Sequence, residues 1–189
     1  MTAARGQVLV PYDVFLQGEA ESEEKHEWVN GVVYAMTRGS PEHGRLTNRV
    51  VMKIFAPLVD EGRESFSSDT PIFIEATQHH TYADASLVCG PLVTRAVHGK
   101  NGKPIGAAIV NPVVIVEVLS DATERYDRDA KFVAYSKLPS LREYVLVDQH
   151  ERVVEVRALE GSEWVTRVAR AGESIVIHGR ELAIDALYG

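Results

Sequence analysis

Only one of the 189 residues is a cysteine, Cys89. That excludes an internal disulfide and fits a reducing compartment. It lies in the apolar stretch Leu87 to Cys89 and reads as a small buried side chain. No segment approaches the ~20 apolar residues of a membrane span, and the opening MTAARGQVLVPYDVF lacks the apolar core of a secretory signal. The expectation is a cytoplasmic protein with no membrane partner. Basic residues are also scarce, 20 Lys and Arg against 27 Asp and Glu, for a net charge of -7. A protein that coats nucleic acid by bulk charge needs the opposite balance. A local basic groove stays open, because Arg45, Arg49 and Lys53 recur every four residues, although the solvated side of an amphipathic helix has the same spacing. There is no internal repeat, low-complexity tract or long Pro/Ser linker. One domain over 1–189 is therefore expected, long enough to bury a continuous core.

What is present is an ordinary globular composition, 45% hydrophobic and 25% charged. A short helical start around Tyr12 to Leu16 leads into His26 to Met36, where Asn30-Gly31 predicts a two-residue hairpin turn. Ser40-Pro41 supplies a capping hydroxyl and a proline at the first helical position. From there Leu46, Val50, Ile54 and Leu58 repeat at helical spacing until Gly62. Short strands are predicted at Ile72 to Glu75 and Ala85 to Cys89, and the glycine-rich Gly99 to Gly106 reads as a surface loop. Val113 to Leu119, aliphatic but for one residue, reads as a strand buried on both faces. A helix over Asp127 to Leu138 and a strand over Leu141 to Asp148 follow. Val153 to Leu159, Trp164 to Val168 and Ile175 to Ile177 make an antiparallel meander. The order predicts an α/β (α+β) fold with one mixed sheet flanked by helices.

The single break in the buried strand is Glu117, and an ionised carboxylate out of water must be paired or bound to a metal. Arg125 or Arg128 at the next helix would make a structural ion pair. The alternative is a ligand at the C-terminal end of a strand, where open α/β sheets place their sites. Asp84, just before Ala85 to Cys89, is either a turn residue or the second half of that site. Two converging carboxylates repel unless a cation lies between them, and carboxylates with waters suit Mg²⁺. Downstream, Asp127, Lys131 and Tyr135 share one helical face. That stripe either reaches back over the strand end or is held by an Asp127 to Lys131 salt bridge. His79 and His80 stand close to Asp84 as possible extra metal ligands, but neighbours on a strand point to opposite faces, so at most one could join, and both are left out of the site.

These segments together resemble a known family. Glu27-Trp28-Val29-Asn30-Gly31, His43, Tyr82-Ala83-Asp84, Asn111-Pro112 through Val116-Glu117-Val118-Leu119-Ser120, Thr123 with Asp127, Lys131 and Tyr135, and Glu143 to Asp148 are similar to the Uma-type restriction endonuclease family, a branch of the PD-(D/E)XK nuclease superfamily. The resemblance runs over nearly the whole chain and implies a restriction-endonuclease-like fold. It further implies that Asp84 and Glu117 ligate a metal, Mg²⁺ or Mn²⁺, and that Lys131 serves catalysis with Tyr135 one turn on. Glu27 and His43 match further polar positions that would line the pocket, His43 otherwise being a capping or surface histidine. Two positions depart from the pattern. Leu119 stands where the superfamily carries its lysine, and Ala83 stands where proline usually precedes the aspartate.

The expected activity is metal-dependent hydrolysis of DNA phosphodiester bonds. The alternative is a catalytically silent module that keeps the fold and binds nucleic acid or protein. An uncovered edge of the meander, together with the symmetric pairing common among nucleases that cut both strands, leads to an expected homodimer.

Overall fold

In the computed structural model of the protein, residues 8–36, 39–59, 62–98 and 104–189 are described. Their strands make two mixed sheets. The first contains β1 (His26–Val29), β2 (Val32–Ala35), β4 (Pro71–Ile74), β5 (His79–Tyr82), β7 (Thr94–His98) and β8 (Pro104–Ile109), in the order β2-β1-β5-β4-β8-β7. The second contains β3 (Arg63–Ser67), β6 (Ala85–Cys89), β9 (Val114–Leu119), β10 (Glu143–Asp148), β11 (Val153–Glu160) and β12 (Glu163–Arg170), in the order β12-β11-β10-β9-β6-β3. A separate antiparallel pair, β13 (Ser174–Ile177) and β14 (Arg180–Ala183), follows the meander.

Helices fill the faces. α1 is Tyr12–Glu21. α2 begins at Pro41–Val50, passes through a π-type turn at Val51–Phe55 and continues over Ala56–Val59. α3 has the same build, with Glu124–Tyr126, a π-type turn at Asp127–Lys131, and Phe132–Tyr135. α4 is the short Ile184–Tyr188. The parallel neighbours β9 and β10 are joined through α3, as a parallel pair requires a crossover. No described helix is long and apolar enough to cross a membrane.

Local chemistry explains most of these elements. Asn30 and Gly31 both take positive φ, the conformation of a type I′ turn, and Val29 pairs with Val32 across it. The Ser40 hydroxyl accepts the His43 N–H at 3.1 Å, so the predicted cap forms. Leu46, Val50, Ile54 and Leu58 are all buried against the second sheet. Gly62 adopts φ +83 and donates to the Val59 carbonyl.

Some expectations are corrected. The expected mixed fold flanked by helices is present, with its strands divided between two sheets, while β3, β5, β7, β8 and β14 are not predicted because they are short or polar and carry no clear apolar alternation. Of the predicted loop, 104–106 belong to β8, which lies between β4 and the edge strand β7, with Pro104 at the strand's first position, where proline is tolerated. Residues 99–103 lie outside the described residues. Cys89, expected buried, is half-exposed at the end of β6, with its Sγ 3.5 Å from His178 Nε2. Arg45 and Arg49 make no open basic groove. They donate to the carbonyls of Tyr188 and Leu187, each at 3.1 Å, closing the C-terminal end of α4.

Candidate active site

Alternation along β9 builds the site. Val114, Val116 and Val118 enter the core under α2, while Ile115 and Leu119 enter the core under α3. Glu117 points the same way as Ile115 and Leu119. It is 3% exposed. Its Oε1 accepts from Lys131 Nζ at 2.9 Å and from the Tyr135 hydroxyl at 3.2 Å. Its Oε2 accepts the backbone N–H of Asp84 at 3.3 Å.

Asp84 lies in the link between β5 and β6, where the chain leaves the first sheet for the second. The pairing of β6 with β9 ends at Ala85 opposite Val116. Beyond that point the Asp84 side chain takes over, and its Oδ2 accepts the Val118 N–H at 2.7 Å. The same oxygen is 3.1 Å from His43 Nε2. That hydrogen bond raises the His43 pKa above the usual histidine value against an opposing effect of burial.

Lys131 reaches the site from the π-type turn of α3, a helix distortion that recurs at functional sites. Side chains also take the backbone carbonyls of this turn. The Tyr144 hydroxyl donates to Asp127 at 2.8 Å and Arg157 donates to Arg128 at 2.6 Å. The Lys131 ammonium, 5% exposed, donates to the Tyr82 carbonyl at 3.0 Å and lies 3.5 Å from both Glu27 Oε1 and Asp127 Oδ1. Three carboxylates thus share one cation.

The electrostatics follow from that ratio. Burial works against the charged ammonium, yet Glu117, Tyr135, Glu27 and Asp127 outweigh it and hold Lys131 well above the usual lysine value. Burial pushes Glu117 well above the carboxylate range, opposed by Lys131, because the one ammonium serves several acids. Glu27 goes the other way. Burial would raise it, but Lys131 and hydrogen bonds from Thr81 and Tyr126 bring it below its usual value.

The structure brings all six sequence-selected residues into this network: Glu27, His43, Asp84, Glu117, Lys131 and Tyr135. Glu117 is not partnered by Arg125 or Arg128, and Arg128 instead bridges Glu124 and Glu155, each at 2.8 Å. Leu119 takes the position two residues after Glu117 as a core side chain, so the site's lysine comes from the helix above. Sequence reasoning missed Thr81 and Tyr126, which hold Glu27, the tyrosine at 2.8 Å. It set aside His79, whose Nε2 is 3.1 Å from the Tyr126 hydroxyl. The alternation that separates His79 from His80 also places Thr81 on the site side of β5, so that residue was findable. Nothing in the pattern marks Tyr126.

The network lies in a cleft of about 860 Å³. The donors fit a hard divalent cation. Asp84 and Glu117 offer carboxylate oxygens near the end of β9 and the Val118 carbonyl follows Glu117 directly in sequence, which suits an ion that keeps several waters. Among the described residues no group of three or more His, Cys, Asp or Glu side chains is placed to hold a metal ion. An open pair of acids needs none.

A family model described as "Putative restriction endonuclease", Uma2, matches residues 12–185. The chain belongs to the Uma2 family. Two uncharacterized proteins of Synechocystis sp. are among its relatives. One, slr1290, is 32% identical over 178 residues, covering 92% of this chain and 88% of its own length. The other, sll1609, is 29% identical over 152 residues, covering 80% and 82%. The crystal structure of a "putative nuclease belonging to DUF820" from Anabaena variabilis superposes with a TM-score of 0.70, covering 92% of this chain and 96% of that one at 16% identity. At that identity the likeness shows the shared fold alone.

Proposed function

We propose that this Uma2 protein is a metal-dependent endonuclease that hydrolyses DNA phosphodiester bonds. The observation that carries the reading is the convergence of Asp84, from the link between the two sheets, and Glu117, from β9, on one strand end with Lys131 2.9 Å from Glu117. Membership in a family described as restriction endonucleases and a solved neighbour described as a nuclease support it.

Asp84, Glu117 and the Val118 carbonyl would hold Mg²⁺ or Mn²⁺. Such an ion lowers the pKa of bound water and offsets charge developing on the phosphate. The chain's own residues supply the rest. Lys131 and Tyr135 fix Glu117 through Oε1 and keep its other oxygen beside Asp84. The Lys131 ammonium adds positive charge where the phosphate becomes more negative. His43, in contact with Asp84 and lining the cleft, would supply a proton to the leaving oxygen. Glu27, braced by Thr81 and Tyr126, keeps Lys131 charged.

A nicking assay on supercoiled plasmid with Mg²⁺ or Mn²⁺ at low salt tests this, with EDTA and Glu117→Gln as controls. Metal-dependent nicking that is lost in the variant is expected. No nicking by folded wild-type protein would instead favour the silent binding module, for which the complete engagement of Lys131 by protein oxygens already speaks. The open edge at β12 is the proposed seat of a homodimer, and a monomer mass by light scattering at micromolar concentration would remove that part.

A further inference from the structure

The cleft is poorly suited to a double helix. Its lining contains seven Asp and Glu side chains and two lysines among the described residues. Glu23, Glu24 and Asp121, all exposed, contribute to this acidic lining. The lysines are already committed. Lys131 is buried in the acid network, and Lys25 pairs with Asp69 at 2.5 Å and donates to the Ser68 carbonyl at 2.9 Å. Arg45 and Arg49 close α4, and Arg128 and Arg157 brace α3 and β11. A duplex carries one negative charge per about 1.7 Å of axis and binds chiefly by neutralising it. Here those phosphates would meet carboxylates.

The β1–β2 wall of the cleft offers something else. Tyr34 pairs directly with Glu27 across the β1–β2 ladder, so the two side chains share a face, and Met36 follows two residues on. Glu27 is the buried residue that reaches Lys131. Tyr34 therefore stands at the mouth above the acid network, 37% exposed, with the half-buried Met36 beside it. An aromatic ring and a thioether in a row, facing a cleft, make a surface on which a base can stack.

We propose that the substrate is an unpaired DNA strand, its bases laid on Tyr34 and Met36 and a single phosphate turned in to Asp84 and Glu117. An unpaired strand can present one phosphate at a time and swing the others away from the rim, which a duplex cannot. The inference rests on the nuclease reading for the fate of the phosphate, and the strand preference is read separately by binding.

The test is fluorescence anisotropy of Glu117→Gln in Mg²⁺ with a labelled 12-mer, single-stranded and annealed to its complement. At least tenfold tighter binding of the single strand is expected. Tyr34→Ala in the same background should weaken single-strand binding roughly 5- to 100-fold, the range for loss of one stacked base, and leave duplex binding unchanged. Tyr34→Phe should restore it. Equal or tighter duplex binding, no binding of either form, or no effect of Tyr34→Ala overturns the proposal. Cleavage by wild-type protein, followed on both forms, separates the two readings. Single-strand binding without cleavage removes the nuclease and keeps the preference, whereas faster duplex cleavage keeps the nuclease and removes the preference.

Discussion

β9 has two faces of the same length and opposite character. One carries Val114, Val116 and Val118 into an aliphatic core under α2. The other carries Ile115, Glu117 and Leu119 under α3, and its middle residue is a carboxylate. β5 repeats the contrast, with His79 and Thr81 toward the acid network and His80 among Tyr12, Phe15 and Tyr82. On β9 one face is held by shape and the other by partners, and on β5 the His80 face is packed among rings with a hydrogen bond between Tyr12 and His80 at 2.9 Å, so the faces should fail differently. A face filled by shape loses stability in proportion to the volume removed. A face held by charge loses most when one member goes and its partners remain.

The largest effect should come from Lys131→Met, which leaves Glu117, Glu27 and Asp127 without their cation. A loss of about 3–5 kcal/mol in chemical denaturation is expected, and adding Glu117→Gln should recover part of it. Full additivity of the two substitutions would show that the charged face is not a unit. His80 gives the next effect. Burial pushes its pKa down to about 4, so the unfolded chain takes up the proton first as pH falls. Stability is therefore whole above about 6.5 and declines toward pH 4, by about 3 kcal/mol at the limit. Denaturation at pH 7.5 and pH 5 checks this, and the slope should shrink in His80→Phe. On the aliphatic face, Val116→Ala should cost about 2–3 kcal/mol, equally at both pH values. A pH-dependent cost there would dissolve the contrast. Smallest is Tyr126→Phe, which takes one donor from Glu27 and should cost about 1.5–3 kcal/mol while leaving the fold intact.

The same contrast explains what was legible in the sequence. The aliphatic face of β9 and the buried stripe of α2 follow from periodicity, and the hairpin at Asn30-Gly31 and the cap at Ser40 from local chemistry. Glu117 stood out because it interrupts an apolar run, and Lys131 and Tyr135 because they share a helical face. Their convergence with Glu27, His43 and Asp84 was carried by the family resemblance rather than by spacing. The split into two sheets stayed hidden because β5 is polar in sequence and is buried only by its partners. Tyr126 stayed hidden for a related reason. Its hydroxyl acts on Glu27 from 99 residues away, and no short-range pattern encodes that pairing.

Asp84 sits on the stretch of chain that passes between the sheets, and it exchanges hydrogen bonds with both ends of the Glu117–Val118 peptide segment. The site is in this sense a seam. Neither sheet alone contains it, and it closes only when the two have docked at the right angle. The network therefore reports on assembly of the whole molecule, since Glu27 comes from β1 of the first sheet and Glu117 from β9 of the second, and a chain with one sheet formed would lack one or the other.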